Sequence, residues 1–144
     1  MALDHIRMAI QVDNESDQML TLVDKGIDWG DWTPSCDPPA SIAPGHRSEF
    51  RAEGSAALVV GPTTGSVGHV RYRVGASAAA TVDIYWNSPL VESQYGNTFH
   101  VWGPSGWDVS HSGGQGHDAR LLVRVRPSIV RSVDGFTPER NGFR

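Results

Sequence analysis

Apolar and polar residues alternate along most of this chain, and this period of two restricts the fold more than any other feature. In the segment VGHVRYRV (67–74) the even positions are apolar or glycine, whereas the odd positions include His69, Arg71 and Arg73. Similar alternation runs through residues 5–12, 81–86, 97–102 and 120–126. A period of two is typical of a β-strand that buries one face. The sequence therefore predicts an all-β fold.

Turn-forming residues separate these segments every 8 to 12 residues, and the chain has 16 Gly and 9 Pro among its 144 residues. We therefore predict about nine or ten short strands. Two sheets that are each apolar on one face can bury those faces against each other, so we expect an antiparallel two-sheet β-sandwich. The predicted sandwich covers residues 1–126, and residues 127–144 are predicted to form a partly ordered C-terminal tail.

The alternation also predicts how single segments fold. Residues 5–12 and 18–24 are predicted to form a hairpin across the polar connection 13–17. The aromatic, acidic and proline-rich stretch 26–43 is predicted to be a long ordered loop with one edge strand, because proline removes a backbone donor. Further strands are expected at residues 47–52, 55–60 and 107–111.

The charge and cysteine content restrict the class of protein. Twelve basic and sixteen acidic residues give a net charge of −4, which argues against a dedicated nucleic-acid binder. The single cysteine, Cys36, cannot form an intrachain disulfide. The first residues, MALDHIRMAIQ, lack the apolar run of a secretion signal, and no window approaches the length of a membrane-spanning helix. We expect any contact with a membrane to be made from its surface.

Tryptophan is frequent, with five residues in 144, and its side chain suits a membrane interface. Trp86 shares a strand face with Val82 and Ile84, which favours the core. For the others, exposure and burial stay open from the sequence: Trp29, Trp32, Trp102 and Trp107. Two or three exposed indoles in a cluster would form a platform for a lipid or a sugar.

Eleven arginines accompany one lysine, and arginine binds phosphate or carboxylate through a planar fork. Arg71, Arg73, Arg124 and Arg126, with His69, are predicted to face outward from two strands. If those strands are neighbours, they form a cationic patch. The alternative is cross-strand pairing with acids such as Asp83.

The sequence contains no motif that is typical of a catalytic or metal centre. The segment HSGGQGH (111–117) supplies only two histidines, so we predict a flexible connection between strands. Neither a G-x-S-x-G nor an H-E-x-x-H frame occurs, and nothing in the sequence marks Cys36 as a nucleophile. We predict a protein without enzyme activity, cofactor or metal.

Four motifs, in this order, resemble the aegerolysins, which are small acidic β-sandwich proteins of fungi and bacteria. They are VDNESDQM, GIDWGDW, GPTTGSVGHVRYRV and IYWNSPLVESQYGNTFHVW, the last covering residues 84–102. The resemblance extends over roughly residues 5–126. It implies a protein that binds membranes, often through sphingolipids, and that in several cases acts with a larger perforin-type partner to form pores or kill insects.

On this resemblance the chain is expected to be the docking component of a two-component pore-forming or insecticidal toxin. Its expected partners are a sphingolipid or similar headgroup and a larger perforin-like protein, with a homodimer as a further possibility and no nucleic acid. It is expected in the bacterial cytoplasm without a signal peptide, then released to act at a target-cell membrane. The predicted lipid or receptor site comprises Trp29, Trp32, Tyr85, Trp86, Trp102, Trp107, Arg71 and Arg73. A lectin-like sandwich that binds glycans or a protein receptor is the alternative.

Overall fold

Two five-stranded sheets stack face to face in the computed structural model, which describes residues 6–54, 65–89 and 96–128. Ten strands lie in these ranges, and the predicted all-β sandwich is confirmed. Within the same ranges no helix is long and apolar enough to cross a membrane.

The first sheet combines strands from both ends of the described chain. In spatial order it contains β3 (Asp31–Trp32), β5 (Arg47–Glu53), β1 (Arg7–Asn14), β10 (Asp118–Pro127) and β9 (Trp107–Gly113). The central pair, β1 and β10, is parallel, whereas β3, β5 and β9 join the sheet in antiparallel fashion.

The second sheet is antiparallel throughout its described pairings. In spatial order it contains β4 (Ser41–Ile42), β2 (Leu20–Trp29), β6 (Ser66–Val74), β7 (Thr81–Ser88) and β8 (Thr98–Trp102). Its strands β6 and β7 alternate strictly between buried and partly exposed residues, apart from the exposed Arg71, as a sheet with one solvent-facing side requires.

The core lies between the sheets, where the apolar faces meet. Trp86, Tyr72 and Phe50 are its largest buried side chains. The ring of Trp32 packs 5.8 Å from that of Trp86 and 6.1 Å from that of Phe50. The indole Nε1 of Trp86 donates a 3.0 Å hydrogen bond to Ser66 Oγ, which satisfies its polar atom inside the core.

The predicted hairpin between the first two long strands is wrong. β1 pairs with β5 and β10 in the first sheet, whereas β2 pairs with β4 and β6 in the second. Both strands bury an apolar face, and the connection between them carries the chain from one sheet to the other, so these faces pack against each other. The local alternation is the same in either arrangement, which is why it could not identify the partner strand.

The stretch 26–43 is more regular than predicted. β2 continues through Gly26 to Trp29, and the two short strands β3 and β4 follow. The prolines lie in the segment between β3 and β4, where the carbonyl of Pro39 accepts a 2.8 Å hydrogen bond from the hydroxyl of Tyr72. Because this contact ties the segment to a core residue, the stretch is held in place without a long ladder.

The connection between β9 and β10 is held in place, whereas the sequence predicted a flexible one. The amide of Asn97 donates to the carbonyls of Gly114 and Gly116 at 2.7 and 2.8 Å. The side chain of Gln115 bonds both the backbone N–H and the carbonyl of Asn97, at 3.0 and 2.9 Å. These bonds join the start of β8 in the second sheet to the β9–β10 connection in the first.

Two parts of the prediction lie outside the described residues. They are the strand at 55–60 and the tail from residue 129 onward. The end of β10 at Pro127 and the backbone bond from Ser128 N–H to the carbonyl of Gly106 mark the last described contacts.

Asn14 is completely buried where the chain leaves the first sheet. Its amide donates to the carbonyls of Gln18, Ile42 and Ala43 at 2.8, 3.1 and 3.2 Å. Its side-chain oxygen accepts a 2.7 Å bond from Ser16 Oγ. One buried side chain therefore joins the crossing between the sheets to the end of β4 through backbone carbonyls.

We expect the variant Asn14→Asp to be less stable than the wild type by about 2–3 kcal/mol at pH 7, because a carboxylate would face three carbonyl oxygens. These surroundings raise the pKa of the introduced carboxyl above about 3.9, so its stability penalty should be small below that pH and grow as pH rises. Urea unfolding of both proteins at pH 4 and pH 7 measures this difference. An equal penalty at both pH values would contradict the assignment.

Candidate functional site

The outer face of the second sheet carries the candidate site. In antiparallel pairs, residues directly opposite each other share a face. One row across the sheet contains Asp24, Arg71, Asp83 and Trp102, from β2 to β8. The next row contains Gly26, His69, Tyr85 and His100. These side chains face outward because their strand neighbours Val70, Ile84 and Trp86 face the core.

Two irregularities in β2 decide which of its residues reach this face. The register shifts between Leu22 and Asp24 and again between Ile27 and Trp29. The first shift turns Asp24 and Gly26 outward, and the second leaves Trp29 outward beside β6. Without the first bulge, Asp24 would follow Leu20 and Leu22 toward the core.

Three aromatic rings form a ladder at the β7–β8 side of the face. The ring centroids of Tyr85 and His100 are 6.0 Å apart, and those of His100 and Trp102 are 5.4 Å apart with an interplanar angle of 17°. Trp102 is 58% exposed, although it lies at the end of a regular strand. A stacked ladder with an exposed indole offers both apolar area and a π-face to a ligand.

Polar groups line the other side of the ladder in two pairs. Arg71 Nε donates to Asp83 Oδ1 at 2.5 Å, and this hydrogen bond raises the pKa of the guanidinium. His69 Nε2 lies 3.1 Å from Asp24 Oδ2. The imidazole of His69 covers Gly26, where a Cβ atom would lie only 2.6 Å from its Cε1. Glycine at position 26 therefore makes room for the ring that contacts Asp24.

Together these residues enclose a groove of about 370 Å³, which we call the outer-face groove. Its lining residues are Asp24, His69, Val70, Arg71, Asp83, Ile84, Tyr85, His100 and Trp102. The volume is that of a small-molecule site. Aromatic faces and two carboxylates favour a cationic group, and the remaining N–H donors of Arg71 can bind an anionic oxygen.

The structure brings Tyr85, Trp102 and Arg71 of the predicted site together in the outer-face groove. Trp29 is 59% exposed on the same face, but at the opposite corner. Three strand spacings and four residues along the strands separate Trp29 from Trp102, a distance of about 20 Å between Cα atoms. The two most exposed indoles therefore share a face without touching.

Three predicted tryptophans lie elsewhere. Trp86 has 0% exposure, in agreement with the strand alternation, and offers no ring surface to a lipid. Trp32 and Trp107 are half-buried and pack against the core from the first sheet. Their indoles contribute to the packing between the sheets, and we leave all three out of the candidate site.

The predicted cationic patch does not form, because its two strands belong to different sheets. β6 carries Arg71 and Arg73 in the second sheet, whereas β10 carries Arg124 and Arg126 in the first. Arg124 instead bonds Glu15 at 2.8 Å, and Arg126 bonds Asp108 at 3.1 Å. Arg73 donates from Nε to the carbonyl of Gly75 at 3.1 Å. Cross-strand and local pairing, the alternative from the sequence, is what the structure contains.

Six groove residues were absent from the predicted site: Asp24, His69, Val70, Asp83, Ile84 and His100. His69 and His100 alternate with core residues, so the period of two could have placed them beside Arg71 and Trp102. Asp24 could not be found this way, because a bulge changes its direction. No group of three or more His, Cys, Asp or Glu side chains in the described ranges could hold a metal ion.

Comparisons with known proteins reveal the fold. No family model matches the chain, and neither does any curated protein sequence. The RahU protein, solved in complex with a TRIS molecule, superposes with a TM-score of 0.67, covering 88% of this chain and 98% of RahU at 14% identity. The lipid binding protein Nakanori superposes with a TM-score of 0.60, covering 83% of this chain and 70% of Nakanori at 12% identity. The chain thus shares the β-sandwich fold of RahU and Nakanori.

The exposures of the five tryptophans can be checked by fluorescence. Trp29 and Trp102 are more than half exposed, so we expect the double variant with Trp29→Phe and Trp102→Phe to lose most iodide quenching and to emit at shorter wavelength. The single variant Trp107→Phe, which changes a half-buried indole, serves as the control and should stay quenchable. Equal quenching of the double variant and the wild type would show that other indoles are the exposed ones.

Proposed function

We propose that this protein binds a membrane lipid by seating the headgroup in the outer-face groove. The observation that carries the proposal is the stacked ladder of Tyr85, His100 and Trp102 beside the carboxylates of Asp24 and Asp83. The fold shared with the lipid binding protein Nakanori supports it, and so does the sequence resemblance to aegerolysins.

The chemistry of the groove suits a headgroup that carries both charges, as in a sphingolipid with a phosphate and a quaternary ammonium. An ammonium group binds over aromatic rings, and nearby carboxylates add attraction. Arg71 uses Nε for Asp83 and keeps further N–H donors for a phosphate oxygen. The indole of Trp102 would then lie at the level of the headgroups, where tryptophan is favoured.

We further propose that the protein binds rather than catalyses. Among the described residues that line the groove, the phenol of Tyr85 supplies the only hydroxyl, and none is a serine, threonine or cysteine. The pair of His69 and Asp24 therefore has no alkyl hydroxyl or thiol beside it to activate. Its role in this proposal is to hold one side of the groove in shape.

The finer proposal is that lipid binding docks a larger perforin-like partner at a target-cell membrane, as part of a two-component toxin. The sequence resemblance supports this role. A docking component alone should bind vesicles without releasing a trapped dye. Dye release by this protein alone would contradict the docking role and leave lipid binding intact.

Sedimentation with sphingomyelin vesicles tests the headgroup site. We expect the wild type to bind and Trp102→Ala to bind about tenfold more weakly, because a desolvated cation–π contact contributes roughly 1–2 kcal/mol. Trp102→Phe should lose less, since phenylalanine keeps a π-face. Arg47→Gln, on the outer face of the first sheet, is the control and should bind like the wild type.

Two outcomes would overturn the headgroup site. One is equal binding of the wild type and Trp102→Ala to sphingomyelin vesicles. The other is binding to a glycan array without binding to any vesicle, which would favour the lectin-like alternative.

A further inference from the structure

Arginine is concentrated on the outer face of the first sheet, opposite the face that holds the groove. Of the eight arginines in the described ranges, six project from this face: Arg7, Arg47, Arg51, Arg120, Arg124 and Arg126. The proposed lipid site uses only Arg71. These six arginines therefore lie on a surface that the proposed lipid binding does not explain.

Five of the six arginines form ion pairs, and three of these pairs lie at one end of the face. Arg47 bonds Asp13 at 3.0 Å, and Arg124 and Arg126 bond Glu15 and Asp108, as described above. Hydrogen bonding by Arg124 lowers the pKa of Glu15, as expected for an ion pair at the surface. These three arginines lie at one end of the face, and each is held there by an acid.

The other three surround Ala9 at the opposite end. Ala9 lies on the central strand β1, directly between Arg51 on β5 and Arg120 on β10. Two strand spacings place the Cα atoms of these arginines about 10 Å apart. Arg7 precedes Ala9 by two residues and projects from the same face. The short side chain of Ala9 leaves a hollow of about 150 Å³ among them, with Thr33 at its rim.

The donors around this hollow are largely uncommitted. Glu49 accepts one bond from Arg51 Nε at 2.6 Å and one from an Arg120 terminal nitrogen at 3.0 Å. A guanidinium has five N–H groups, so most donors of both arginines remain. Within residues 6–54, 65–89 and 96–128, the Arg7 side chain makes no ion pair and donates no hydrogen bond.

Three acids accompany the three arginines, so the fixed charges at the hollow balance. Glu53 and Asp118 line it, and Glu49 is bonded to both Arg51 and Arg120. Glu53 accepts a 3.0 Å bond from the hydroxyl of Thr33. Burial raises the pKa of Glu49, but hydrogen bonds from Arg51 and Gln11 lower it by more. Glu49 therefore stays ionised and holds both arginines at the hollow.

We propose that this hollow is a binding site for a phosphate monoester group, seated over Ala9 between Arg51 and Arg120 and bound by Arg7 from the third side. A tetrahedral dianion offers several oxygens in different directions, which matches guanidinium groups converging from three positions. The site lies on the face of the sandwich opposite the outer-face groove, so it does not depend on the proposed lipid function.

Titration with inorganic phosphate, followed by calorimetry at constant ionic strength with chloride as the balancing ion, tests the site. We expect saturable binding by the wild type and at least a tenfold loss in Arg7→Gln, which removes an exposed guanidinium and leaves the core intact. Ala9→Val should give a similar loss by filling the hollow without changing charge. Arg47→Gln, a paired arginine on the same face, is the matched control and should bind like the wild type.

Binding that does not saturate, or that is equally lost or equally kept in all three variants, would overturn the proposal. Two further probes identify the source of the phosphate: glycerol phosphate for a soluble monoester, and vesicles containing phosphatidic acid for a lipid monoester. The vesicle measurement uses Trp102→Ala, so that the groove does not contribute. Binding of either probe that is lost on Ala9→Val supports the site, and binding of neither overturns it.

The two proposals fail separately. Ala9→Val should bind sphingomyelin vesicles like the wild type, because Ala9 lies on the other sheet. If Ala9→Val lost phosphate binding and kept sphingomyelin binding, the substitution would affect the hollow and not the groove. If the wild type bound phosphate but not sphingomyelin vesicles, only the lipid proposal would be contradicted.

Discussion

Burial of two apolar sheet faces against each other determines where every other side chain of the sandwich lies. Successive residues of a strand point to opposite sides, so fixing Trp86 in the core also fixes Tyr85 on the outside. A shift of one residue in β7 would exchange the two rings. The outer-face groove is therefore a consequence of core packing, since its aromatic residues occupy positions that the core residues leave to the solvent.

The alternation of apolar residues was sufficient to predict the fold class and most strands, because it is a local property of each segment. It identified β6 and β7 nearly to their ends. It did not identify strand partners, as the wrong hairpin between β1 and β2 shows, because partner choice depends on packing between residues far apart in sequence. The bulges in β2 limited the prediction of the site in a similar way. They are backbone irregularities that leave no mark in the pattern of apolar residues, and the first of them places Asp24 on the outer face, where alternation would not.

The sequence predicted the exposed tryptophans less well than the strands. Trp32 and Trp29 lie three residues apart, yet one packs against Phe50 and the other is mostly exposed. The difference arises because β2 and β3 belong to different sheets, which no local pattern reveals. The same separation of strands between sheets divides the arginines of β6 from those of β10, so the chain has two chemically different outer faces.

The parallel pairing of β1 with β10 also affects how the chain can reach this structure. All strands of the second sheet lie between Leu20 and Trp102, so their partners are available before β10 has left the ribosome. β1 meets β5 about 40 residues later in the chain, but its other partner, β10, comes about 110 residues later, and contacts of such sequence separation make folding slow. Until β10 emerges, the edge of β1 that it will cover keeps unpaired backbone N–H and C=O groups, which are open to pairing with another chain.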